Sequence, residues 1–148
     1  MRRYMTGWML AGVLAGLPAH AAECSLTPKQ VVTKFMTQFY VDKKVREAFE
    51  TWVDPGYIQH NPMAQTGREA AINFLEPFFA KNPNINYSIK RVIADGNIVA
   101  VHSHGKMSAD DRGFAVVDIL RVQGCKVMEH WDVLQPVPEK SANTNTMF

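Results

Sequence analysis

Residues 114–135 read FAVVDILRVQGCKVMEHWDVLQ and contain two runs of β-branched and apolar residues, separated by a short turn that includes a glycine. This pattern predicts an antiparallel hairpin. Asp118, His130 and Asp132 lie inside the apolar runs, although a carboxylate is costly to bury unless it is paired, protonated or used in chemistry. We therefore expect the hairpin to form the wall of a cavity in which Asp118, together with His130 or Asp132, handles a proton.

Three helices are predicted before the hairpin. Apolar residues recur at three- and four-residue spacing over residues 26–40, and Thr27 before a proline is a typical N-cap. Asp42 can cap a second helix, which the turn-forming residues 54–56 would end. A third amphipathic helix is expected over residues 67–80.

Four strands are predicted after the helices. Residues 87–95 and 98–107 alternate in polarity around an Asp-Gly turn, which is a strong hairpin signal. The hairpin of residues 114–135 follows a polar connection, and a polar tail comes after it. Helices first and strands afterwards favour an α+β domain, with an antiparallel sheet and the helices on one of its faces.

The N-terminal segment has the features of a secretory signal peptide. Two arginines precede an apolar run at residues 8–17, and residues 19–21 form a small-x-small cleavage site. The apolar run is too short to span a bilayer as a helix. We expect residues 1–21 to be removed by cleavage after about Ala21. Residues 22–148 would then form a single periplasmic or secreted domain, without a membrane span in the mature chain.

The charge of the mature chain excludes two classes of partner. The formal net charge of the whole chain is +2, and loss of Arg2 and Arg3 with the signal peptide lowers it to zero. No basic stripe remains for nucleic acid and no polybasic patch for a membrane surface. The sequence also has no phosphate-binding glycine loop and no nucleophile elbow. No serine or cysteine has the sequence surroundings of an activated nucleophile, which disfavours covalent catalysis.

The chain has two cysteines, Cys24 and Cys125. Export would place them in an oxidising compartment, where cysteines tend to pair. A bridge between them would close a loop of about 100 residues, worth up to roughly 4–5 kcal/mol in the chain-entropy model. Two free thiols are the alternative.

The register of the hairpin decides which polar groups meet. A strict two-residue turn places Asp118 opposite Trp131, so that His130 and Asp132 would face away from it. A β-bulge would shift the register by one residue and bring all three groups onto one face. Asp118 could instead lie beside Glu129, and spacing alone leaves these alternatives open.

Three other histidines, His60, His102 and His104, are candidate site residues. His60 follows a short predicted strand and is either a functional group or a loop histidine bonded to backbone. His102 and His104 share one strand face and could form a metal pair, but no third ligand lies close in sequence. We expect them at the surface or in an interface, and we expect neither a metal nor another cofactor.

Three short motifs resemble the nuclear transport factor 2-like superfamily, which includes ketosteroid isomerases, scytalone dehydratase and the SnoaL-like polyketide cyclases. They are His60-Asn61-Pro62, the GREAA that opens the third helix at residues 67–71, and the DILRV at residues 118–122. The runs YIQHNP, VHSH and EHWDV look most like small bacterial SnoaL-like proteins. The resemblance implies a cone-shaped, curved antiparallel sheet around three helices, a deep apolar pocket, and a homodimer formed through the sheet.

The resemblance also implies roles for individual residues. Asp118 matches an inward aspartic acid of the ketosteroid isomerases, whereas His60 falls where those enzymes carry an aspartate base. Their helical tyrosine would align near Met36, which argues against steroid isomerisation. SnoaL-like cyclases use an acid–base aspartate near histidines. The expected catalytic residues are Asp118, His60, His130 and Asp132, and the expected substrate-binding residues are Asn61, His104, Trp131, Phe35 and Met36.

These observations favour an exported, cofactor-free lyase or isomerase that acts on a small apolar carbonyl compound by acid–base chemistry. The first alternative is a non-catalytic module that binds a small hydrophobic ligand in the same pocket. The second is a dimeric adaptor domain, for which a closed or filled cavity would be expected.

Overall fold

The computed structural model describes residues 24–148, and the predicted signal peptide lies outside them. The helical elements and strands follow one another as α1 (Pro28–Met36), a π-helical segment (Thr37–Val41), α2 (Val45–Trp52), β1 (Val53–Gln59), α3 (Arg68–Lys81), β2 (Asn86–Asp95), β3 (Ile98–Lys106), β4 (Phe114–Gln123) and β5 (Lys126–Pro136). The five strands form one open sheet in the order β1-β5-β4-β3-β2. The predicted α+β class is confirmed.

The sheet is mixed, because β1 pairs with β5 in parallel while β2 to β5 pair in antiparallel fashion as predicted. The sequence had suggested a turn at residues 54–56, and the structure places these residues inside β1. The turn chemistry is still present, since the Gly56 amide donates to Asp54 Oδ1 at 2.8 Å. It produces a register shift between Val53 and Ile58 rather than a change of direction.

The helix starts follow local chemistry. Thr27 caps α1 as predicted, and it forms a reciprocal capping box with Gln30. The prediction that Asp42 caps α2 is wrong. Lys43 adopts a positive φ of 57°, so the chain is not helical at this residue. The helix α2 therefore begins only at Val45, and no side chain caps it.

The core lies between the helices and one face of the sheet. The inner face of β3 and β4 contributes fully buried valine and leucine side chains, and α1 packs against β2, β3, β4 and β5. The opposite face, which we call the outer face, carries large exposed side chains, including Ile93 and Val133. Among the described residues, no helix has the length and hydropathy needed to cross a membrane.

Cys24 and Cys125 form a disulfide with a Cα–Cα distance of 5.2 Å and a sequence separation of 101 residues. The predicted pairing is therefore present. Cys125 and Gly124 both have positive φ angles, 63° and 54°, as in the two-residue turns typical of β-hairpins. The disulfide ties the start of the described chain to the turn between β4 and β5, and its presence is consistent with an oxidising compartment.

Candidate functional site

A β-bulge in β5 decides which side chains of the hairpin face inward. Arg121 pairs with Glu129 and the next residue of β4, Val122, pairs with Val127, so Met128 is the extra residue. Beyond the bulge, Asp118 lies opposite Asp132, and Leu120 lies opposite His130. The register left open by the sequence is thus the bulged one.

The three polar groups line a cavity of about 180 Å³ between the inner face of the sheet and the helices. Most of its wall is apolar or aromatic. The lining side chains are Phe35, Met36, Phe39, Tyr40, Phe49, Tyr57, Gln59, Asn61, Ala64, Ala71, Phe74, Leu75, Tyr87, Asp118, Leu120, His130 and Asp132. Of the expected binding residues, Phe35, Met36 and Asn61 lie in this wall.

Asp118 is the most deeply placed polar group of the cavity. It is 1% exposed, and its Oδ1 lies 3.0 Å from His130 Nε2. Its Oδ2 has no hydrogen-bond partner among residues 24–148. Burial raises the pKa of Asp118, and the hydrogen bond and charge of His130 oppose this rise only in part, while the nearby charge of Asp132 adds to it.

Gln59 fixes the tautomer of His130. The backbone amide of Asn61, which can only donate, lies 3.0 Å from Gln59 Oε1, so this oxygen is the acceptor. His130 Nδ1 lies 2.9 Å from the same oxygen and must therefore carry a hydrogen. Gln59 Nε2 donates at 3.0 Å to the hydroxyl of Tyr57.

This assignment leaves one proton between His130 and Asp118. A neutral imidazole with its hydrogen on Nδ1 can only accept at Nε2, so Asp118 must then be a neutral acid that donates. If the imidazole is protonated on both nitrogens, Asp118 is the accepting carboxylate. In both states a single proton lies on the 3.0 Å contact, so the pair is built to store and transfer one proton.

Asp132 is held in a different way. Asn61 Nδ2 donates to both of its carboxylate oxygens, at 2.8 and 2.9 Å. The orientation of the Asn61 amide is fixed, because its oxygen accepts from the backbone amide of Met63 at 2.8 Å. Asp132 therefore accepts hydrogen bonds at both oxygens from one amide of fixed orientation, and both carboxyl oxygens act as acceptors.

Tyrosine hydroxyls complete the polar part of the cavity, and the sequence analysis did not identify them. Tyr40, Tyr57 and Tyr87 all line it, and burial first, then the charge of Asp118, raises the pKa of each. They are therefore neutral hydrogen-bonding groups at ordinary pH. Tyr40 lies in the π-helical segment and stacks on Tyr87 with ring centroids 4.0 Å apart. The periodicity of α1 did not indicate its direction, because the chain changes to a π-helical segment at Thr37.

His60 and Trp131 lie outside the cavity, which contradicts the expectation that they act on a ligand inside it. Their rings stack on each other with centroids 4.4 Å apart. His60 Nε2 lies 3.1 Å from Glu129 Oε2, and this hydrogen bond, together with that of Arg121, lowers the pKa of Glu129. Because the bulge turns Glu129 and Trp131 to the outer face, His60 is drawn there as well. Its position indicates that it anchors the loop after β1.

His104 also lies on the outer face, where it cannot contact a ligand in the cavity as expected. Its neighbours in the strand, Ser103 and Gly105, are buried on the inner side of the sheet, and the alternation of the strand places His104 on the other side. His104 Nε2 lies 2.8 Å from the Arg112 carbonyl oxygen, and its ring stacks on Phe148 at 4.0 Å. The tail after β5 thus contacts β3 on the outer face of the sheet, where His104 lies.

Asp118, His130 and Asp132 could also hold a metal ion. Each offers one ligand atom, and these atoms lie within 4.8 Å of one another. Gln59 hydrogen-bonds His130, and Asn61 hydrogen-bonds Asp132. Metal ligands in proteins are often oriented by outer hydrogen-bond partners of this kind. The Asp118–His130 hydrogen bond occupies the lone pairs that would face the ion, so a proton and a cation would compete for this position.

Residues 32–130 match the family model of the SnoaL-like domain. No curated protein matches the chain significantly.

Several solved structures share the fold. A candidate polyketide cyclase from Acidithiobacillus ferrooxidans superposes with a TM-score of 0.61 at 15% identity, covering 76% of this chain and 90% of the other. An NTF2-like protein of unknown function from Cytophaga hutchinsonii gives 0.61 at 16% identity, covering 76% and 94%. A candidate SnoaL-like polyketide cyclase from Jannaschia sp. CCS1 gives 0.58 at 16% identity, covering 76% and 90%. At these identities the likeness shows the fold alone.

Proposed function

Starting from the fact that this chain belongs to the SnoaL-like domain family, we propose that it is a cofactor-independent enzyme that enolises a small carbonyl compound, as an isomerase or lyase of the polyketide cyclase type. The observation that carries the proposal is the pair of dissimilar carboxyl groups in one apolar cavity. Asp118 has a raised pKa and shares a proton with His130, while Asp132 accepts two hydrogen bonds from Asn61. A group that can donate a proton and a second carboxyl that can accept one, both in the same cavity, are what enolisation requires.

In the proposed reaction, the Asp132 carboxylate removes a proton from the carbon next to the carbonyl group. The electron pair of that C–H bond forms the carbon–carbon double bond of the enol, and the carbonyl oxygen takes the proton that Asp118 shares with His130. The reverse transfers, to the same or to another carbon, regenerate both groups. No step requires an oxidant or a reductant.

Exchange of hydrogen for deuterium tests this proposal without knowledge of the natural product. Small cyclic ketones are incubated with the protein in heavy water, and loss of the α-proton signal is followed by NMR. Asp132→Asn and Asp118→Asn should each reduce exchange by about 10²- to 10⁴-fold. Asp110→Asn, at an exposed position in the β3–β4 connection, is the matched control. Equal exchange in all four proteins would disprove the assignment.

A non-catalytic ligand-binding module is the second candidate. It is favoured by the double hydrogen bond from Asn61, because a carboxylate that is held at both oxygens can orient a ligand without reacting. A binder would be stabilised by the ligand against heat and would show no exchange. The adaptor alternative is less well supported, since the cavity is not filled by side chains.

Export and self-association belong to the same proposal. The disulfide supports an oxidising compartment, which cell fractionation would test. Ile93 and Val133, 64% and 65% exposed on the outer face, support a homodimer formed through the sheet. Val133→Lys should then shift the sedimentation profile toward the monomer, and an unchanged profile would exclude this face.

A further inference from the structure

We infer that the ligand of the cavity is a neutral molecule about the size of a single ring, and that anionic and multi-ring carbonyl compounds are excluded. This inference rests on the proposed function for the carbonyl group, whereas the limits of size and charge rest on the residues that line the cavity. A cavity of about 180 Å³ is only slightly larger than one that holds benzene, and well below the usual range for drug-sized ligands, about 300–1,000 Å³.

The walls that set this size are packed rings rather than loose side chains. Phe35 and Phe39 each pack edge-on against Phe49, with centroids 5.2 Å apart in both pairs. Tyr40 stacks on Tyr87 at 4.0 Å. The three phenylalanines are buried, so a larger ligand would have to displace rings that already pack closely.

The charge of the wall selects against anions. Among the described lining residues none is lysine or arginine, whereas Asp118 and Asp132 both face the space. A carboxylate or phosphate on the ligand would come close to the Asp132 carboxylate in a largely apolar setting, where repulsion between like charges is strong. A neutral ketone or enol meets no such penalty and can accept a proton from the Asp118–His130 pair.

Phe74 is the side chain at which the size limit can be altered. It lines the cavity yet is 59% exposed, which places it at the mouth. Its ring lies parallel to that of Phe78, with centroids 6.4 Å apart. Because Phe74 is largely outside the core, its replacement by alanine should widen the mouth without unfolding the domain.

The test compares phenol, 2-naphthol and benzoate by isothermal titration calorimetry. Phenol resembles the enol of a ring ketone, 2-naphthol adds a second ring, and benzoate adds a negative charge. In an unrestricted apolar site 2-naphthol would bind more tightly than phenol, because it buries more apolar area. We expect the reverse order, with phenol binding at least about tenfold more tightly than either of the others.

Two variants make the result specific. Phe74→Ala should improve 2-naphthol binding by about tenfold, and Asp132→Asn should improve benzoate binding by a similar factor. Met63→Ala, at a loop side chain that is exposed and does not line the cavity, should change neither. Binding of 2-naphthol or benzoate as tight as that of phenol would overturn the inference, and so would the absence of phenol binding at millimolar concentration.

The binding test and the exchange test can fail separately. If phenol binds selectively but no ketone exchanges its α-proton, the size and charge limits hold and the enzymatic proposal fails. If ketones exchange but 2-naphthol binds best, the enzymatic proposal holds and the limits fail.

Discussion

Asp118 and Asp132 are direct cross-strand partners on β4 and β5, so two carboxyl groups enter one cavity side by side. Ionisation of both would place like charges close together, which is costly in an apolar setting. The surrounding hydrogen bonds keep the two groups different. His130 shares a proton with Asp118, and Asn61 donates twice to Asp132.

Asp118→Asn should change the pH dependence of stability. Burial raises the pKa of Asp118 above its ordinary value of 3.8, so the folded protein holds this proton more tightly than the unfolded chain does. The stabilisation is complete below about pH 3.8 and is lost as the pH rises through the folded-state pKa. The variant should therefore be more stable than the parent protein at neutral and alkaline pH, with a difference that shrinks in acid.

Urea denaturation at a series of pH values measures this effect. The exposed control Asp110→Asn should follow the parent at every pH. A loss of stability in Asp118→Asn that is equal at all pH values would mean that the buried carboxyl is a purely structural hydrogen-bond acceptor.

Replacement of Gln59 tests the fixed tautomer of His130. Gln59→Leu leaves both the His130 Nδ1 hydrogen and the Asn61 amide without an acceptor, at a cost of about 1–3 kcal/mol of stability. Misplacement of the imidazole should reduce α-proton exchange by roughly 10- to 100-fold. Nitrogen-15 NMR of the histidines should show protonated Nδ1 in the parent and a mixture of tautomers in the variant.

Gln65→Leu, on the exposed part of the loop after β1, is the control for that substitution. If the parent instead carries its imidazole hydrogen on Nε2 alone, the proposed proton sharing with Asp118 is incorrect.

Removal of the disulfide should cost stability without altering the cavity. Serine at both Cys24 and Cys125 opens a loop of 101 residues, which the chain-entropy model values at up to about 4.7 kcal/mol. Neither cysteine lines the cavity, so phenol binding at low temperature should stay unchanged. Guanidinium denaturation with and without a reducing agent makes the comparison. Equal stability in all samples would show that the bridge contributes nothing in solution.

Chelation distinguishes proton chemistry from metal chemistry at the same three side chains. If the Asp118–His130 contact holds a proton, prolonged dialysis against a chelator should leave the α-proton exchange rate unchanged. Added zinc should then inhibit, because it competes with the proton for His130 Nε2. Loss of exchange on dialysis and its return with zinc would instead identify the cluster as a metal site.

The α+β class and the presence of a polar site in the last hairpin could be predicted because they follow from local patterns. Amphipathic spacing defined the helices, alternation defined the strands, and an acid within an apolar strand indicated a site. The inward placement of His130 and Asp132 was not predictable in the same way. It depends on the extra residue Met128, and bulges leave little signal in residue identities.

The roles suggested for His60 and His104 failed for a related reason. Both are polar residues at strand positions, and only the pairing of the strands determines which face of the sheet receives them. Tyr40 was overlooked because it falls where the α-helix changes to a π-helical segment, so an extrapolated helical pattern does not give its direction.

The bulge at Met128 has a consequence for how this domain could diverge. Val122 pairs with Val127 on one side of it and Arg121 with Glu129 on the other, so deletion of Met128 would close the ladder and leave every later residue of β5 on its present face. A slip that placed Met128 opposite Arg121 would instead point Glu129 and Trp131 into the interior and bring the imidazole and carboxylate out on the opposite surface. Descendants of this chain could therefore lose that codon and keep the chemistry, whereas the same residues paired one position out of step would keep only the architecture.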